Sequence, residues 1–227
     1  MSWVIEPPVT ASVAVEGTAD RFPVRRIFCV ARNYAAHARE MGMDEREPPF
    51  FFCKPADAVT ENGSVIPFPS RTQNFHHEVE LVVALKSGGS NINVGDAASH
   101  VFGCAVGLDL TRRDLQAESR DKGRPWDTAK AFDHSAPVTA IKPLSDTGLP
   151  ESGAITLSVN GLLRQQGDLR DMIWSVPEII AELSGYFELQ AGDLIFTGTP
   201  SGVGAIEPGD ELEGIIEGLG GLAVSFS

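Results

Sequence analysis

The chain has 227 residues, 42% hydrophobic and 22% charged, which is ordinary globular usage, and a chain of this length can bury roughly 70% of its unfolded surface without disulfide staples. Its 31 acidic residues against 18 basic give a formal net charge of −13, a balance that opposes a nucleic-acid backbone as partner. No run of about 18 apolar residues predicts a membrane span. The segment MSWVIEPPVTASVAVEG lacks the basic start and unbroken apolar stretch of a signal peptide. Three widely spaced cysteines, Cys29, Cys53 and Cys104, contain no CxxC pair, which argues against a disulfide framework and a zinc–thiolate site and fits a reducing cytoplasm.

Residues 1–25, rich in Pro, Val and Thr without a helical period, read as an extended N-terminal arm ahead of one catalytic domain over 26–227. RIFCVAR, residues 26–32, predicts a strand, after which Asn33 can cap a short helix over NYAAHAREM. PFFFCKPADAV is an apolar run broken by Pro55, and EVELVVAL, from Glu78 to Leu85, reads as a strand. HVFGCAVGLDL, from His100 to Leu110, is a second apolar run of strand length. A helix is expected from Thr111, capped by its hydroxyl, with Asp114 in the first turn and Gly123 and Pro125 at its end. Asn160–Gly161 inside ITLSVNGLLRQ predicts a type I′ hairpin. Ser175 and Glu178 form a capping box ahead of IIAELSGYF. The remaining short strands lie between Gly, Pro and Asp, so the expected class is α+β and rich in β-structure.

FHHEVELVV, residues 75–83, carries the sharpest chemical signal. Side chains on a strand alternate faces, so Glu78 and Glu80 leave the same face about 7 Å apart at the backbone. Two anions so placed need neutralisation, and all-oxygen ligation suits Mg²⁺, Mn²⁺ or Ca²⁺. A solvent-facing strand edge is the competing reading. Asp109, at the end of the next apolar run, adds a third carboxylate at a position where strand ends carry chemistry; helix capping is its rival role. By the same alternation His76, not His77, shares the glutamate face, as a ligand, a support behind one, or a purely structural residue.

His37 and Glu40 are neighbours at i,i+3 on the expected helix. A carboxylate beside an imidazole orients it for activating water, although such pairs are also common on surfaces. Lys54, in FFCKP, and Lys130, in AKAFD, could each balance a substrate carboxylate or a developing enolate, or extend to solvent. GTPSGVG could offer backbone N–H groups and the Thr199 hydroxyl to an anion. It is neither a Walker A loop nor a dinucleotide fingerprint.

Taken together, RNYAAHAREMG (32–42), FFCKPADAV (51–59), NFHHEVELVV (74–83), GLDLTRRDLQ (107–116), GRPWDTAKAFD (123–133) and TGTPSGVG (197–204) resemble the fumarylacetoacetate hydrolase family in that family's order, and most closely its single-domain acylpyruvase branch. The resemblance implies a mixed β-roll with short helices like the family's C-terminal domain, and usually a homodimer. It implies Mg²⁺ or Mn²⁺ on Glu78, Glu80 and Asp109, a His37–Glu40 dyad on a lid helix, and Lys130 at the substrate. It also implies Lys54, Arg113, Gln116 and Thr199 near the site. The expected substrate is a small 2,4-dioxo acid, with fumarylpyruvate first and other acylpyruvates next. Oxaloacetate decarboxylation or dioxo-acid isomerisation on the same scaffold is the alternative. A metal-binding module without catalysis is more distant, since the dyad positions are filled. No membrane partner is expected.

Overall fold

The computed structural model describes residues 2–34, 47–144 and 148–227. Its centre is the strand Val79–Leu85, buried at every position, which the near-continuous aliphatic run requires. Val79–Leu85 pairs antiparallel with Val101–Leu108 on one side and with Asp193–Phe196 on the other. Asp193–Phe196 then pairs parallel with Arg26–Ala31, and that strand pairs antiparallel with Phe50–Lys54. Beyond Val101–Leu108 come Ala136–Val138 and Val59–Glu61, which complete a mixed eight-stranded sheet together with Lys142–Pro143. A second sheet of five strands is built on the Ala154–Val159 and Leu162–Asp168 hairpin, followed by Glu211–Ile216, Gly220–Phe226 and Val65–Ile66. The hairpin turn has Asn160 at φ 51° and Gly161 at φ 73°, the two positive values that a type I′ turn needs.

Alternation along the central strand divides the interior. Leu81, Val83 and Leu85 join the core between the sheets with Ile155, Leu157, Leu222 and Val224, and the helix Val176–Tyr186 covers that core through Ile179, Ile180 and Leu183. Glu178 accepts the Ser175 N–H at 2.8 Å and so starts this helix. Val82 and Ala84 face the other way, into a second core with Ile27, Cys29, Leu194 and Phe196. Glu80 has the parity of Val82 and Ala84, so the acidic site continues this second face.

Several local expectations change. Residues 12–14 and 21–23 form a two-stranded hairpin, and Val13, Val15, Phe22 and Val24 belong to the second core. The expected extended arm is therefore body from about residue 11, because its valines are apolar enough to be buried. Thr111 does not cap the helix Arg113–Asp121; it lies in a two-residue strand, and its hydroxyl donates to Asp109 O at 3.0 Å. Asp114 instead accepts from Gln73 N and Leu115 N at 2.9 Å each. The Asn33 carboxamide donates to Trp174 O and Thr197 O and accepts the Trp174 N–H at 2.8 Å. The helix expected after Asn33 lies outside the described residues. Among those residues, no helix is long and apolar enough to cross a membrane.

Gly107 stands opposite Glu80 in the ladder. A Cβ there would lie 2.5 Å from Val82 Cγ2 and 2.8 Å from the Phe196 ring, so only hydrogen fits. Gly107→Ala should destabilise the fold by about 2 kcal/mol through overpacking, read as a lower urea midpoint. An unchanged midpoint would contradict the close packing described.

Candidate active site

The ladder between Val79–Leu85 and Val101–Leu108 ends where the chemistry begins. Val79 pairs with Leu108, and one step further the Asp109 N–H donates to Glu78 O at 2.8 Å. Glu78 sits at the break between the strands Phe75–His77 and Val79–Leu85. The expected strand thus begins one residue later than Glu78, and the oxygens of Glu78 and Glu80 still converge across the break. One oxygen from each of Glu78, Glu80 and Asp109 lies within 4.8 Å of the others, and all three residues are buried. That spacing suits a shared ion with oxygen ligands at about 2.0–2.6 Å.

Cations surround two of the three acids. Lys130 Nζ is 2.7 Å from Glu78 Oε2 and 2.6 Å from Asp109 Oδ2. Lys54 Nζ is 2.8 Å from Asp109 Oδ1, outside hydrogen-bond alignment, so that buried oxygen has no hydrogen-bond donor among the described residues. Arg113 pairs with the other oxygen of Glu78. Burial pushes the Glu78 carboxyl up, but Lys130 and Arg113 more than offset this and hold it well below the usual range. Burial also opposes charge on Lys130, and Asp109 and Glu78 outweigh it, so the ammonium is favoured.

Glu80 differs. Its Oε2 accepts the Gly198 N–H at 2.8 Å, and no ion pair reaches it among the described residues. Burial, then the neighbouring charges of Asp109 and Glu78, raise its pKa well above the ordinary value. An acid held by two like charges, beside a buried carboxylate oxygen without a donor, is a donor set that a divalent cation satisfies. The three residues therefore fit a hard divalent ion. Gly198 makes the loop contact possible, since its φ is 99° and a Cβ would lie 2.7 Å from Asn33 Cβ.

The acids open into a cavity of about 390 Å³ that Lys130, Arg113, Gln116 and Thr199 also line, with His76, Phe52, Trp126, Arg120 and Arg32. Four of the expected substrate-side residues thus meet the acid trio. Lys54 does not face the cavity. It is enclosed behind Asp109, where it also donates to Leu110 O and Lys130 O, so its role is to hold Asp109. His37 and Glu40 lie outside the described residues. The flanks of that segment converge on one residue, for Trp174 bonds Asn33 through its main chain and donates from Nε1 to Glu47 O at 3.3 Å.

His76 shares the cavity face, as alternation requires. Its Nε2 lies 2.7 Å from Asn74 Oδ1, and Arg113 Nε donates to its Nδ1 at 3.3 Å. Burial and then Arg113 lower its pKa to about 4, so at neutral pH it is an uncharged acceptor that aims Arg113. Gln165 was not singled out from the sequence. Fully buried, it accepts from Val79 N, lies 2.9 Å from His77 Nδ1, and donates to Thr199 Oγ1 and Pro200 O. Its only sequence signal is a polar residue in a hairpin strand, which usually faces solvent.

The fold is that of the fumarylacetoacetate hydrolase family, and the chain belongs to it, with residues 26–226 matching the family model described as fumarylacetoacetate (FAA) hydrolase C-terminal. Among its relatives, the fumarylpyruvate hydrolase of Ralstonia sp is 44% identical over 179 residues, covering 79% of this chain and 93% of the relative. The oxaloacetate tautomerase YcgM of Escherichia coli K12 is 40% identical over 204 residues, covering 89% and 93%. A crystal structure of fumarylpyruvate hydrolase from Pseudomonas aeruginosa in complex with Mn²⁺ and pyruvate superposes with TM-score 0.96 at 53% identity, covering 99% of each chain.

Because the folded chain favours the protonated form of Glu80, this group's contribution to metal-free stability is fully present below its unfolded pKa and is lost as pH rises through the raised folded value. Glu80→Gln keeps an acceptor for Gly198 and removes that loss. At pH 8 it should raise the melting temperature of metal-free protein and abolish the further rise produced by Mn²⁺. Calorimetric Mn²⁺ binding to the wild type should also weaken as pH falls through the raised Glu80 value. A variant that melts lower without metal yet still responds to Mn²⁺ would contradict this account.

Proposed function

We propose that the chain is a divalent-metal-dependent hydrolase that cleaves a C–C bond of a 2,4-dioxo acid, fumarylpyruvate or another acylpyruvate, and releases pyruvate. The observation that carries the reading is the convergence of Glu78, Glu80 and Asp109 oxygens within 4.8 Å at the base of a cavity lined by Lys130 and Arg113. The Mn²⁺ and pyruvate named with the Pseudomonas aeruginosa relative support it.

Mg²⁺ or Mn²⁺ on that trio supplies Lewis-acid polarisation of a 2-oxo acid. Glu40 orients His37, whose imidazole takes a proton from water so that the oxygen attacks the C4 carbonyl. The C3–C4 bond breaks, the acyl half leaves as a carboxylic acid, and the three-carbon half takes up a proton as pyruvate. Lys130 Nζ holds its proton beside Glu78 and Asp109 and opposes the negative charge developing on the three-carbon half. Thr199 and Gln116 offer polar groups to the oxo-acid end, while Arg113 fixes Glu78. The reading also includes assembly as a homodimer, which sedimentation at micromolar concentration checks.

Keto–enol exchange in oxaloacetate is the second reading, favoured by the tautomerases of Escherichia coli and of Homo sapiens, the latter 43% identical over 195 residues. That reaction needs no attacking water. His37→Ala should lower fumarylpyruvate hydrolysis by 10²-fold or more, within the usual range for loss of a general base, while Mn²⁺ binding is retained. Undiminished hydrolysis removes the dyad. Wild-type protein that exchanges oxaloacetate and hydrolyses no acylpyruvate establishes the second reading.

A further inference from the structure

The helix Arg113–Asp121 presents Arg113, Gln116, Ala117 and Arg120 to the cavity. These positions follow the i, i+3, i+4, i+7 spacing of one helical face. Arg113 stands at the acid trio, where Glu78, Gln116 and His76 take its donors. Arg120 lies two turns further along, about 10 Å away at 1.5 Å per residue. Its partner among the described residues is the adjacent Asp121, at 3.0 Å in a pair whose side chains are 51% and 66% exposed. An ion pair that open to water holds a guanidinium weakly, so a carboxylate entering the cavity can compete for it. Phe52 and Trp126 line the same cavity, their rings 5.7 Å apart. The cavity therefore has a charged base, aromatic surface and a cation at its outer part.

We infer that Arg120 binds the far carboxylate of a dicarboxylic substrate and so sets this chain's preference for 2-oxo dicarboxylic acids of about seven carbons. The inference rests on the hydrolase reading for the reaction and on the helix face for the substrate class. Seven carbons joined by six bonds of about 1.5 Å span roughly 7.5 Å between the end carbons when extended. Adding a hydrogen bond of about 2.9 Å at the far end brings the guanidinium into reach when the oxo-acid end is at the acid trio. Oxaloacetate, with four carbons and a span of about 4 Å, falls short. Acetylpyruvate has a methyl group where the second carboxylate would be. Arg120 thus separates ligands that the acid trio alone would treat alike. Arg32 also lines the cavity but has other interactions, so it is the less direct candidate.

The test compares wild type, Arg120→Gln and Arg120→Lys, each loaded with Mn²⁺. The first measurement is calorimetric affinity for 2-oxopimelate, a seven-carbon dicarboxylate, and for 2-oxoheptanoate, which has the same length and a neutral tail. Wild type should prefer 2-oxopimelate by about tenfold or more, as one charge-assisted hydrogen bond implies. Arg120→Gln should erase that preference, and Arg120→Lys should restore part of it. The second measurement is kinetic. In Arg120→Gln the ratio of kcat/KM for fumarylpyruvate over acetylpyruvate should fall about tenfold, mainly through KM, as expected when uniform binding is removed. Equal affinity of wild type for the two probes, or a preference that survives in Arg120→Gln, overturns the inference. A binding preference that depends on Arg120 in a protein that hydrolyses neither acylpyruvate leaves the inference standing and removes the hydrolase reading.

Discussion

Three carboxylates brought to one point at the end of a buried strand pair are the constraint around which this protein is arranged. Buried charge is costly unless paired, and the chain supplies Lys54 and Lys130 to Asp109, and Lys130 and Arg113 to Glu78. Among the described residues Glu80 receives only a backbone N–H, from Gly198. The neutralisation is uneven. Two acids are nearly compensated by side chains and the third is left to resist ionisation, so a cation at the trio would act chiefly on Glu80. That asymmetry would set a cation at the trio in competition with a proton on Glu80.

The scaffold is fitted to keep those oxygens convergent. Gly107 lets Val82 and Phe196 close over the strand opposite Glu80, and Gly198 adopts a left-handed φ that turns its N–H to the carboxylate. Behind them, Gln165 ties the five-stranded sheet to the strand carrying the acids, through Val79 on one side and Thr199 on the other. Lys54 braces Asp109 from the back. Precision at the site thus comes from buried polar contacts made by two different sheets, not from the acidic residues alone.

The sequence displayed the acidic site more clearly than its supports. Alternation is a local rule, and His76, Glu78 and Glu80 do line one cavity, although a break at Glu78 divides them between two strands. Asp109 was legible because a lone acid closes a long apolar run. Lys54 and Lys130 looked alike in sequence, each a lysine in apolar surroundings, yet one points at the cavity and the other lies behind Asp109. What separates them is register between Phe50–Lys54 and Arg26–Ala31, a non-local fact. Gln165 was invisible for the same reason, because its burial is decided by the loop that crosses over the hairpin. The valines before residue 25 carried no helical period, and their burial follows from docking on a core assembled by residues far along the chain.

Trp174 clasps Asn33 and Glu47, which lie on either side of residues 35–46 in the chain, and Trp126 lines the cavity. The chain contains three tryptophans in all, and the remaining one, Trp3, is 69% exposed near the start of the chain. Two of the three indoles are thus native optical probes, one at the cavity wall and one at the clasp. Intrinsic emission, resolved by single replacements of each indole, offers a label-free view of the cavity wall and of the clasp.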